Sequence, residues 1–250
     1  MSKGNLITLI LCIFMVGAGY VILSGEYITP GQGALSAEQV RDRVVDASDS
    51  VSSYRFRMDL IWKRKTEGDA LEVESNGSVD LQSKRMHILE DDGNRIQEIY
   101  LINDTLYTSM FGEWMKEVVP GGQHIVVYPN GQYVIRYQTE MIKNADVELT
   151  GEEKVDGVDC YVLSVSPDMV KALSLDALGL REDEVRDVLN GIESVTLTDW
   201  VSKDDCLIRK SRMKVVEVDG RWTDTTTVFY EYNKHPDIEL PGGAVNATEM

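Results

Sequence analysis

The hydrophobic pattern changes period at Tyr54. Before it, Val40, Val44, Ala47 and Val51 recur at helical spacing, with Arg41, Asp42, Arg43, Asp46 and Asp49 on the other sides. Ser36 and Gln39 form a capping box, and Leu35 and Val40 are placed for a hydrophobic staple, so the helix starts here. From Tyr54 the period is two: Tyr54, Phe56, Met58, Leu60 and Trp62 alternate with Arg55, Arg57, Asp59 and Lys63, with only Ile61 breaking the polar set. The helix therefore feeds a long aromatic strand with one buried face.

Alternation continues over Leu71 to Leu81, a strand with one wet face, and over Lys84 to Leu89 before an Asp-Asp-Gly-Asn turn. A meander fills Ile96 to Lys116. A two-residue turn at Asn103-Asp104 sets Ile102 opposite Thr105, Leu101 opposite Leu106 and Tyr100 opposite Tyr107. Ile99, Leu101, Leu106 and Met110 then share one face, and Tyr100, Ile102 and Tyr107 share the other. Gly112-Glu113 turns the chain into Trp114 and Met115. Tyr133, Tyr137 and Met141 have helical spacing, and strands resume over Val147 to Leu149 and Cys160 to Val165. Asp168 to Ile192 is helical in pattern, in two pieces broken near Gly179, with Leu173, Leu175 and Leu178 in the first. The remainder is meander: Val195 to Val201, Leu207 to Val218 and Trp222 to Tyr232. The class is α+β, with roughly ten strands by alternation.

Leu6 to Leu23 carries no charge, and at ~1.5 Å per residue it reaches roughly 27 Å, just enough to span a bilayer. Residues 1–25 are read as a single-pass N-terminal signal-anchor with Lys3 on the cytoplasmic side. The competing reading is a cleaved secretory signal, with Gly17 and Gly19 near the cut and a secreted product. Leu11 before Cys12 is bulky where a lipidation site wants a small residue. Residues 26–34 read as a linker, 35–241 as one domain outside the cytoplasm, and 242–250 as a flexible C-terminal tail. Sequons at Asn76, Asn103 and Asn246 offer glycosylation acceptors, although Asn103 is better used in its tight turn.

The chain has 25 basic and 42 acidic residues, a net charge of -17. Such a surface is well solvated, and it disfavours nucleic acid as a partner. Cys160 and Cys206 both fall in segments that read as strands of one sheet, and export would permit a disulfide worth about 4 kcal/mol in the chain-entropy model. Two buried free thiols are the alternative.

Catalytic chemistry is not written in this chain. His87, His124 and His235 stand apart, with no carboxylate or cysteine at metal-ligand spacing. No phosphate-cradling glycine loop or Gly-x-Ser-x-Gly elbow occurs, and Asp91-Asp92 and Asp204-Asp205 read as turns. No enzyme, metal or cofactor is expected. What is unusual is the amount of apolar surface: several strands bring aromatics to one face, and the central hairpin is apolar on both. Two arrangements accommodate it, a curved sheet whose inserted helices leave an apolar pocket and a solid core in which those helices are the second layer.

The order of elements resembles the lipoprotein-carrier superfamily, the LolA and LppX-type lipid-binding proteins. The resemblance rests on Val51-Ser-Ser-Tyr54-Arg-Phe56 after the helix, on Tyr100-Leu-Ile-Asn-Asp-Thr-Leu-Tyr107 followed by Trp114, and on Asp156-Gly157-Val-Asp-Cys160-Tyr-Val-Leu163. After the inserted helices, Asp199-Trp200-Val201-Ser-Lys203-Asp-Asp-Cys206-Leu-Ile-Arg209-Lys210 completes it. It extends from about Leu35 to Leu240. It implies an eleven-stranded, strongly curved antiparallel half-barrel whose concave face, lidded by helices, holds lipid or lipoprotein acyl chains. Phe56, Met58, Leu60, Trp62, Tyr100, Ile102, Tyr107 and Trp114 would line the concavity, with Leu173, Leu175 and Leu178 on the lid. The alternative function is a non-enzymatic structural or envelope-sensing domain of the same fold, acting through protein contacts.

Overall fold

The computed structural model describes residues 35–63, 70–110, 112–118, 141–143, 145–168, 186 and 189–249. The expected anchor and linker, and the lid leucines Leu173, Leu175 and Leu178, lie outside the described residues. No helix among the described residues is long and apolar enough to cross a membrane.

Helix α1, Ala37–Ser48, starts at Ser36 with the expected capping box. The Gln39 backbone N–H donates to Ser36 Oγ at 3.2 Å, and the Ser36 N–H donates to Gln39 Oε1 at 2.9 Å. Val40 and Val44 are its fully buried stripe. The chain then enters β1, Ser53–Lys63, and meanders through β2 (Leu71–Asp80), β3 (Arg85–Asp91), β4 (Ile96–Ile102), β5 (Thr105–Met110) and β6 (Glu113–Val118). A second meander comprises β7 (Asp146–Val155), β8 (Val158–Ser166), β9 (Ile192–Ser202), β10 (Ile208–Glu217) and β11 (Trp222–Tyr230). A short β12, Thr248–Glu249, closes the described chain.

The twelve strands among the described residues form one open sheet in the order β12-β6-β5-β4-β3-β2-β1-β11-β10-β9-β8-β7. Alternation had suggested about ten strands and the resemblance eleven; the additional one is β12, too short to leave a periodic signal. Every pairing is antiparallel except β12 on β6. The first strand is thus central, and the sheet grows from it in two directions.

One face of the sheet, here the inner face, carries the main core. Tyr54, Phe56, Val79, Met86, Ile88, Ile99, Leu101 and Leu106 from one arm, and Leu163, Val165, Leu197, Met213 and Phe229 from the other, join Val40 and Val44 of α1 in one cluster. Met141 and Ile142 are buried in the same cluster. Phe56 sets a local constraint. Its ring lies against Gly77 of β2, directly opposite, so that a Cβ at Gly77 would sit 2.2 Å from ring atoms.

Two expectations are corrected. Cys160 and Cys206 are free thiols. Cys160 belongs to a small cluster with Val155, Val162, Trp200 and Val228 on the outer face, whereas Cys206 packs against the inner-face core. Cys206 sits in the β9–β10 turn with φ at +57°, not in a strand, and the sheet itself separates the two side chains. The segment read as a flexible tail is also ordered onto the sheet. Gly242–Asn246 forms a 3-10 turn with Ala244 buried, and Thr248 and Glu249 pair with Met115 and Lys116 of β6.

Gly77→Ala should destabilise the fold by about 1–3 kcal/mol, because the buried Phe56 ring must leave its position; urea unfolding measures the loss. In native protein a maleimide should react with half-buried Cys206, Cys160 should react only on unfolding, and reduction should leave the intact mass unchanged. A mass gain of two hydrogens on reduction of the unfolded monomer, with a peptide map that joins Cys160 to Cys206 rather than to Cys12, would show a bond between them.

Candidate functional site

The strand registers settle which residues share a face, because directly opposed residues of antiparallel strands point the same way. Phe56, Met58, Leu60 and Trp62 of β1 all lie on the inner face. Phe56 is opposite Gly77 and Phe229, Met58 opposite Ser75 and Thr227, Leu60 opposite Val73 and Thr225, and Trp62 opposite Leu71 and Thr223. Phe56 and Leu60 are buried, while Met58 and Trp62 are partly open.

Tyr100, Ile102, Tyr107 and Trp114 do not join them. Ile99 and Leu101 occupy the inner positions of β4, so the neighbours Tyr100 and Ile102 point outward. Tyr107 is opposite Tyr100, and Trp114 is opposite Ser109, on the same outer side. There Tyr100 stacks on His87 with ring centroids 4.3 Å apart and tilts against Trp114 at 5.9 Å. The C-terminal segment crosses this surface. The Arg85 guanidinium donates to the Ile238 carbonyl at 2.9 Å, and Gly243 lies so close to Trp114 that an added Cβ would be 3.3 Å from its indole nitrogen. The eight aromatic and aliphatic positions of the two hairpins therefore serve two surfaces. Four face inward and four face outward, where residues 236–249 meet Arg85, Trp114 and the edge of β6. Asn76 is exposed on the outer side of β2, and Asn103 takes the hairpin turn with φ at +55° and the expected pairing around it.

The inner face is not uniformly apolar. Across the strands, Asp199, Ser211, Thr227, Met58, Ser75, Glu90 and Gln97 are consecutive partners from β9 to β4. On one side of this row run Phe229, Phe56, Gly77, Ile88 and Ile99. On the other run Val165, Leu197, Met213, Thr225, Leu60 and Val73. A polar belt thus crosses between two largely apolar rows. Asp199, Ser211, Thr227, Ser75 and Gln97 are all buried. Ser211 Oγ donates to the Asp199 carboxylate at 2.6 Å. Ser75 Oγ and Thr227 Oγ1 have no hydrogen-bond partner among the described residues, nor does Thr223 Oγ1 further along β11.

Burial governs the ionisation of this belt. It pushes the Asp199 carboxyl up to about 7, against a smaller opposing effect of the Ser211 hydrogen bond, and it also raises the Glu90 carboxyl above its usual range. On the outer face burial lowers His87. Among the described residues no grouping of His, Cys, Asp and Glu could hold a metal ion.

Sequence reasoning missed the belt because its members lie on seven different strands and only the ladder registers bring them into one row. The available signal was on β11, where Thr223, Thr225 and Thr227 share the parity of Phe229 while Asp224 and Thr226 take the other.

No family model and no curated protein matches the sequence. Solved structures do match by shape. The lipoprotein LppX of Mycobacterium tuberculosis superposes with a TM-score of 0.54 at 11% identity, over 80% of this chain and 96% of that one. LprF of Mycobacterium bovis superposes with a TM-score of 0.55 at 12% identity, over 83% and 97%. The chain has the LppX-type fold. The agreement spans nearly the whole of both solved proteins.

Asp199 has a folded-state value above its ordinary 3.8, so the stability it contributes is complete below about pH 4 and is lost as the pH rises toward 7. Asp199→Asn removes that dependence. Unfolding midpoints at pH 4, 5.5 and 7 should show the variant gaining on the parent by up to ~1.4 kcal/mol for each pH unit crossed.

Proposed function

We propose that this chain is a non-enzymatic, extracytoplasmic binder of lipid or lipoprotein acyl chains, held against the inner face of an LppX-type half-barrel for transport or presentation. The observation that carries the reading is the extent of that face. At ~4.8 Å per strand, twelve strands are roughly 50 Å across, whereas the 12-residue α1 is only about 18 Å long. The apolar rows run beyond the stripe of Val40 and Val44, with Met141, Ile142 and Leu189 packed on the same cluster.

Acyl chains suit such a surface because binding needs only apolar contact, worth ~0.8 kcal/mol for each methylene sequestered. Met58 and Trp62, partly open beside buried Phe56 and Leu60, are the inner-face positions that would meet a chain first. The lipoprotein LppX, whose fold this chain shares, is consistent with a role at the cell envelope. The 18 uncharged residues Leu6 to Leu23 would tether the domain to its membrane, and presentation or exchange at that membrane then fits better than free diffusion.

Full-length protein purified from membranes should carry acyl lipid that solvent extraction and mass spectrometry detect, and the delipidated protein should take up a fluorescent fatty acid. Neither lipid in the extract nor uptake of the probe would leave the domain as a protein-contact module instead.

A further inference from the structure

We propose that the polar belt on the inner face is a recognition site for the uncharged ester group of an acyl lipid such as a diacylglycerol, with the acyl chains lying on the apolar rows to either side. The proposal deepens the acyl-lipid reading above and rests on it.

The belt is costly to fold. Ser75 and Thr227 are each 0% exposed, they bracket Met58 across β2, β1 and β11, and their hydroxyls have no partner among the described residues. An unpaired buried hydroxyl disfavours the folded state, and Ala or Val would fill either position without that penalty. A lipid ester supplies what these groups lack. Its carbonyl oxygen accepts from a Ser or Thr hydroxyl, and no proton or charge moves in doing so.

The charge pattern selects among head groups. None of the paired positions in the belt or in its two flanking rows is Lys or Arg. Arg209, on the same strand as Ser211 and outside the paired rows, pairs its Nη2 with Asp205 and lies over the Tyr232 ring at 5.2 Å, while its buried Nε has no partner among the described residues. The ionisable groups of the belt are the carboxyls Asp199 and Glu90, which repel an anion whenever they are charged. A phosphate or free carboxylate would be buried there without a counter-charge, whereas a neutral ester needs none.

The test is displacement of a pyrene-labelled hexadecane from the detergent-solubilised full chain by dioleoylglycerol or by dioleoyl phosphatidate. The unaltered chain should take dioleoylglycerol at least tenfold more tightly than phosphatidate. The double variant Ser75→Ala, Thr227→Val should bind dioleoylglycerol about tenfold more weakly, bind the hydrocarbon probe as before, and unfold at the same or a higher temperature. Thr227→Ser, which keeps the hydroxyl, should retain the preference. Equal affinity for the two lipids, an unchanged affinity in the double variant, or a lowered unfolding temperature would each overturn the belt's role while acyl-chain binding still stood. A full chain that takes up neither the probe nor either lipid would overturn both readings.

Discussion

The pairing of β1 with β11 is the contact on which the rest of this structure depends. Each arm of the sheet is a meander of neighbouring hairpins that can form locally, but nine residues of β1, from Arg55 to Lys63, must find β11 at the other end of the domain. That ladder sets Phe56 against Phe229 and makes one face out of two arms. It is also the step with the largest loop-closure cost, so stabilisation has to be concentrated there. Tyr54 supplies part of it: buried on the inner face of β1, its ring meets Phe229 edge-on at 6.0 Å and tilts against Phe56 and Tyr232 at 6.3 Å. Tyr232 in turn donates to the Ile208 carbonyl at 2.5 Å, fixing the exit of β11 to the start of β10.

The two faces of the sheet have been put to different uses. On the outer face, polar and apolar pairs work locally. Trp200 donates to Glu153 at 2.7 Å beneath the Lys210 ammonium, and the C-terminal segment lies against Trp114, whose ring meets Tyr100 stacked on His87. This segment also pairs the free edge of β6 over Thr248 and Glu249, limiting the backbone left open there to other strands. The inner face is continuous across the sheet instead, and it keeps buried hydroxyls in its middle. A core selected only for stability would not hold Ser75 and Thr227 between apolar rows with no partner among the described residues. Local rules broken without compensation among the described residues point to function, and here they coincide with the face that carries the main hydrophobic cluster.

Much of this was legible in the sequence. The capped helix, the strand from Tyr54, and the hairpin register around Asn103 and Asp104 follow from side chains within a few residues of one another. Short-range hydrogen bonding and alternation decide such features almost alone. The element order was enough to suggest the fold that the LppX and LprF superpositions then showed. The strand β12 and the seated C-terminal segment were not legible, because a two-residue strand has no period and its partner β6 lies far back in the chain.

Alternation determined that each strand has two unlike sides, and so that Phe56, Met58, Leu60 and Trp62 act together. It could not say which side of one strand continues the side of another, because that depends on which residues pair. Only the assembled sheet decided that Tyr100, Ile102, Tyr107 and Trp114 face away from the β1 aromatics, and that Cys160 and Cys206 are kept apart by the backbone between them. The same registers turned Asp199, Ser211, Thr227 and Ser75, polar residues scattered along the chain, into one buried belt beside Met58. The physical reason is that a strand's period is local, whereas register is fixed by the whole ladder, and a cross-strand row exists only once every ladder has formed.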